Sequence, residues 1–189
     1  MPEWLPSAVF IFGVLLLTGI SAYTDTRARR IPNWLTISAF FAGLVYQAVF
    51  HQWPGLADAG RAFAIGFGTF FVLWIIGGGG GGDVKLMGAL SVWLGFKLTL
   101  YAMVLSMVFV ILGTGLIMAW AVMRHGVKRV KQQYLATGRT DAQGRAVTTE
   151  TIQQRRERRV MAFAVPVAIA TWVIMLLDSV AISHGQLGP

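Results

Sequence analysis

The chain has 189 residues, of which 56% are hydrophobic and only 13% charged, a composition that excludes an ordinary soluble domain and fits a polytopic membrane protein. Sixteen Lys/Arg against eight Asp/Glu give a net charge of +8. Cysteine is absent, which excludes disulfides, thiolate zinc sites and cysteine nucleophiles.

A spanning helix needs about 20 mostly apolar residues, and the first such run covers residues 5–24. No basic residue precedes it, so it reads as a retained span rather than a cleaved signal. It closes at Asp25-Thr26-Arg27-Ala28-Arg29-Arg30-Ile31-Pro32-Asn33, where Pro32 suits a turn before a new helix starting near Asn33. Spans at 34–50 and 56–76 follow, and then six consecutive glycines, Gly77 to Gly82, lead into Asp83-Val84-Lys85-Leu86. The apolar stretch 84–96 is short and reads by itself as a span or a re-entrant helix. A fifth clear run covers 98–123, a basic loop 124–160, and a last span 161–181, in which Pro166 predicts a kink. Gly66, Gly68, Gly113 and Gly115 predict close helix contacts.

Charge placement arbitrates the topology. Three cations fall at 27–30 and ten between Arg124 and Arg159, the others being Arg61, Lys85 and Lys97. If 84–96 spans, all but Arg61 and Lys97 fall on the cytoplasmic side, as the positive-inside rule requires. The expected fold is therefore all-α: one integral membrane domain over 1–189, with six transmembrane helices, a glycine-rich loop before the fourth, and the loop 124–160 between spans five and six. The basic segments, including a helix over 151–159 at the headgroups, point to anionic lipid rather than nucleic acid as partner. Asp25 and Asp83 then share the cytoplasmic face.

Carboxylates near membrane depth are costly and mark functional pathways. Asp25 read alone is also an interfacial acid neutralised by Arg27, Arg29 or Arg30. The glycines read alone are also a flexible linker, which leaves Asp83 unexplained. As helix interior each glycine would cost roughly 1 kcal/mol, so the run predicts non-helical backbone beside an aqueous pocket with Asp83 at its lip. A phosphate loop is excluded because Asp83, not Lys-Ser/Thr, follows the last glycine.

Taken together, Asp25 with Pro32 seven residues later, and Gly77-Gly78-x-Gly80-x-Gly82-Asp83-x-Lys85-Leu86 some fifty residues on, resemble the type IV prepilin peptidases, membrane aspartic peptidases with a Gly-x-Gly-Asp motif. The resemblance implies cleavage of the leader of prepilin or pilin-like proteins at the cytoplasmic face of the bacterial inner membrane, with Asp25 and Asp83 as catalytic pair. Gly80, Gly82, Lys85 and Pro32 match supporting motif positions, and no cofactor is implied. Asn33 stands where longer members have a third acid, and Gly79 and Gly81 where larger residues are common. The lack of cysteine and of a preceding cytoplasmic domain argues against N-methyl transfer and points to the short peptidases of Flp or tight-adherence pili.

Two other classes compete. A transporter or channel component would use the same aspartates as a proton or cation relay, and an assembly subunit would tolerate their loss. Neither explains the joint motif. His51, His125 and His184 lack metal-ligand spacing, no metal site is expected, and Asp178 falls near the opposite membrane face.

Overall fold

A computed structural model describes residue 2 and residues 4–76, 80–125 and 162–183. These residues form five helices and no strand: α1 (Trp4–Ala28), α2 (Asn33–Phe50), α3 (Gln52–Ile75), α4 (Gly81–His125) and α5 (Ala164–Ser183). By length and composition α1 to α4 can each cross a membrane, whereas the apolar stretch of α5, Ala164–Asp178, is shorter. Clustering of contacts divides the chain into one unit of residues 1–109 and 163–189 and a second of 110–162. Of the second unit, 110–125 is helical, with Arg124 over the ring of Trp120 at 5.2 Å. Gly77–Gly79 and 126–161, with most of the basic loop and its expected headgroup helix, lie outside the described residues.

The six expected spans appear as five helices because spans four and five form one element. Within α4 Gly95 is non-helical, at φ 72 and ψ 177, a conformation open essentially only to glycine. Thr99 Oγ1 donates to Ser91 O at 3.5 Å, eight residues back, whereas that stretch of straight helix would extend about 12 Å. The chain therefore turns at Gly95, and the arm 81–94 is followed by a separate arm from 96.

The arm 81–94 is the centre of the first unit. Every residue from Leu86 to Leu94 is buried, as expected of a helix apolar on all sides. Three helices flank it through small residues, since lipid is as apolar as leucine and association rests on close packing. A Cβ on Gly13 of α1 would come within 2.5 Å of the Trp93 ring, one on Gly43 of α2 within 2.9 Å of it, and one on Gly66 of α3 within 2.9 Å of Ser91 Cβ. The expected close contact is thus present at Gly66, but a Cβ on Gly68 or Gly115 would meet nothing within 4 Å among the described residues.

A break in a helix leaves backbone groups on either side of it without intrahelical partners. Two neighbouring helices satisfy them. Gln47 Nε2 donates to the carbonyls of Val92 (3.0 Å) and Trp93 (3.3 Å), and Asp58 Oδ2 accepts from the Phe96 amide at 2.9 Å. Asp58 thereby acts as an N-cap supplied from another helix.

Helix ends differ from the hydropathy boundaries, because a charged side chain ends an apolar run without ending the backbone hydrogen bonds. α1 continues to Ala28, so Asp25 lies within the helix. Arg29 then adopts φ 49, its amide bonded to Asp25 O at 2.9 Å, an αL helix stop. Pro32, at φ −64 and ψ 137, precedes α2 at Asn33 as the sequence predicts. α3 begins at Gln52 directly after the turn at His51, so residues 52–55, expected between spans, are helical. Gly81 and Gly82, expected outside helix, form the first residues of α4. Pro166 lies in the first turn of α5, where its missing N–H costs nothing, instead of kinking the span. The buried face of α1, Val14, Leu17, Thr18, Ser21 and Asp25, recurs at helical spacing, and from α5 Trp172 Nε1 donates to Thr18 Oγ1 at 3.0 Å.

Candidate active site

Asp25 and Asp83 are both buried, at 3% and 6% exposure, so neither is the solvated interfacial acid that Asp25 read alone suggests. Each has one oxygen held by an amide at a helix N-terminus, where backbone donors lack partners within their own helix. Asp25 Oδ2 accepts from Ala164, the first residue of α5, at 3.1 Å. Asp83 Oδ2 accepts from Gly80 at 3.0 Å, while the Asp83 amide donates back to Gly80 O at 3.0 Å. This is the reach-back of a third-position acid to the residue before its own helix. Asp25 is thus oriented by a partner 139 residues away, and Asp83 by its own turn.

The segments carrying the two acids meet. The linker after α1 lies on the first turn of α4: a Cβ on Gly82 would sit 3.6 Å from Ile31 Cδ1 and 3.7 Å from Ile31 Cβ. One turn on, Lys85 Nζ donates to Asn33 Oδ1 at 2.8 Å. The start of α5 joins the same region, since Phe163, just before Ala164, packs its ring 5.2 Å from Phe70 of α3. The end of α1 and the starts of α2, α4 and α5 therefore converge at one end of the first unit.

The other residues singled out from sequence have narrower parts. Pro32 shapes the linker and Gly80 supplies an amide to Asp83. Gly82 and Gly81 could each carry a methyl group in ordinary contact: added Cβ atoms would meet the nearest described atoms at 3.6 and 3.7 Å. Internal packing against the described residues does not demand glycine at either. Lys85 is exposed and lines an open groove of about 270 Å³ with Asn33, Thr36, Phe40 and Gly88. Neither aspartate lines that groove, so it is not the glycine-lipped pocket expected at Asp83. His51 packs at 5.4 Å against Tyr46, and among the described residues no group of three His, Cys, Asp or Glu could hold a metal.

Three contributors escaped the sequence reading. Asp58 and Gln47 hold the turn that ends the Asp83-bearing arm. Ser21, wholly buried one turn before Asp25 on the same face, has no hydrogen-bond partner for its hydroxyl among the described residues. Asp58 alone carried a local signal, as a carboxylate close to an apolar run; the partners of Gln47 and the burial of Ser21 depend on which helices adjoin.

The type IV leader peptidase family model matches residues 8–116, more than half of the chain, and that match takes in both acidic segments and the whole central arm. No curated protein and no solved structure matches. The chain belongs to the type IV leader peptidase family.

Proposed function

We propose that the protein is an aspartic endopeptidase that removes the leader of prepilin or pilin-like proteins at the cytoplasmic face of the bacterial inner membrane, with Asp25 and Asp83 as its catalytic pair. The observation that carries this reading is the contact of the two acidic segments, Ile31 against Gly82 and Asn33 against Lys85, beside two buried carboxyls. One carboxylate takes a proton from water as it attacks the scissile carbonyl. The other, carrying a proton, donates a hydrogen bond to the developing oxyanion. The amides of Ala164 and Gly80 fix the two side chains in advance, the preorganisation such chemistry needs. That packing against the described residues does not demand glycine at 81 and 82 supports a role for the bare backbone in close approach of an extended substrate. Leader cleavage without N-methyl transfer is the proposed activity, and the arm 81–94 is read as a span of its own, the fourth of six.

The test is co-expression with candidate prepilins, scored by the mobility shift of leader loss. Asp25→Asn and Asp83→Asn each keep an oxygen able to accept the existing amide bond, so both should express and fold. Each should lower cleavage by about 10²–10⁴-fold. Cleavage at the parental rate by both variants would refute the proposed pair.

A further inference from the structure

The groove beside Lys85 is lined by α2, α3 and the arm 81–94, with Phe40, Phe41, Phe63 and Phe67 supplying aromatic surface and Gly88 beneath them. A Cβ on Gly88 would sit 3.0 Å from the Phe67 ring, so the rings rest directly on the arm's backbone. Ile37 and Phe41 line the groove and also belong to the outward stripe of α2, being 55% and 59% exposed along with Trp34, Val45 and Val49. In a chain that spans a membrane, an apolar groove continuous with such a stripe is bathed in lipid. Its polar end is formed by Lys85, whose hydrogen-bond partner, the Asn33 side chain, is neutral. Among the described residues no carboxylate pairs with Lys85.

We propose that this groove holds one acyl chain of an anionic phospholipid whose phosphate pairs with Lys85. An ammonium at the end of an apolar slot selects a ligand with a long apolar body and an anionic head, and a cation near the membrane surface favours anionic over zwitterionic lipid. The lipid site does not require the peptidase reading, although Lys85 lies two residues from Asp83 and its bond to Asn33 joins the two acidic segments. Binding there ties the first turns of α2 and α4 to the headgroup layer.

The test is native mass spectrometry of the full chain released from nanodiscs containing equal parts of phosphatidylglycerol and phosphatidylcholine. The parent should retain one phosphatidylglycerol, preferred by about five-fold over phosphatidylcholine. Lys85→Gln should lower that preference by at least about two-fold without lowering total lipid retained, because the apolar contacts persist while one of several cations is lost. Ile37→Trp, placed at an exposed rim position and checked for native helicity by circular dichroism, should lower retention of both lipids by filling the slot. Equal retention of the two lipids by the parent, or an unchanged preference in Lys85→Gln, overturns the proposal. Displacement of bound phosphatidylglycerol by an equimolar synthetic apolar peptide would assign the groove to peptide and overturn it equally.

Discussion

Asp25 and Asp83 differ in how they are held, and the difference matters for any substitution. Asp25 is tied to the start of α5, so a change there disturbs a contact between distant parts of the chain, whereas Asp83 closes a loop of its own turn. Asparagine is the informative replacement at both, since it keeps an acceptor and removes only the acid. Gly82 offers a complementary test at the same scale. Its surroundings leave room for a methyl group, and alanine is favoured over glycine within a helix by roughly 1 kcal/mol. Gly82→Ala should therefore raise thermal stability slightly while lowering leader cleavage, if the bare backbone serves the substrate. Unfolding in detergent together with the cleavage assay separates the two effects. A variant that is both stable and fully active would show that the glycine does not serve the substrate.

At the scale of elements, the broken helix α4 is the feature on which the site depends. Residues 81–94 carry Asp83 at one end, and the other end is pinned by Gln47 and Asp58. Gly95 cannot accept a side chain: its φ of 72 disfavours one, and an added Cβ would collide with Asp58 Oδ2. Gly95→Ala should destabilise the fold by at least about 1–3 kcal/mol, the range for a strained backbone. Asp58→Ala should cost about 0.5–2 kcal/mol through the lost cap, and Asp58→Asn less than either, because it keeps an acceptor for the Phe96 amide. The order of melting temperatures among the three variants checks this assignment. An Asp58→Ala protein as stable as the parent would show that the cap contributes nothing.

For the whole molecule, the arrangement to be verified is the approach of two segments about fifty residues apart. The chain contains no cysteine, so a crosslink can be introduced against an empty background. An added Gly82 Cβ would lie 3.7 Å from Ile31 Cβ, inside the 3.5–4.5 Å range of disulfide-bonded pairs. The Ile31→Cys, Gly82→Cys double variant should therefore form an intramolecular disulfide under mild oxidation in the membrane, read by thiol labelling before and after reduction. The two single variants should remain fully labelled. A double variant whose thiols stay free although its helicity is native would separate the segments and remove the geometric basis of the site.

Much of this protein could be read from residue order alone, because its main signals are local. Long apolar runs required helices, the placement of Pro32 located the start of α2, and the two acidic motifs pointed to their family. Hydropathy could not tell which helix is central, since lipid and protein interior are equally apolar and residues 84–96 look the same in either. Nor could it supply the partners of the freed polar groups: Ala164 for Asp25, Phe96 for Asp58 and the Val92 and Trp93 carbonyls for Gln47. Those bonds join residues 38 to 139 positions apart. They exist because particular helices became neighbours, and only the tertiary structure decides which do.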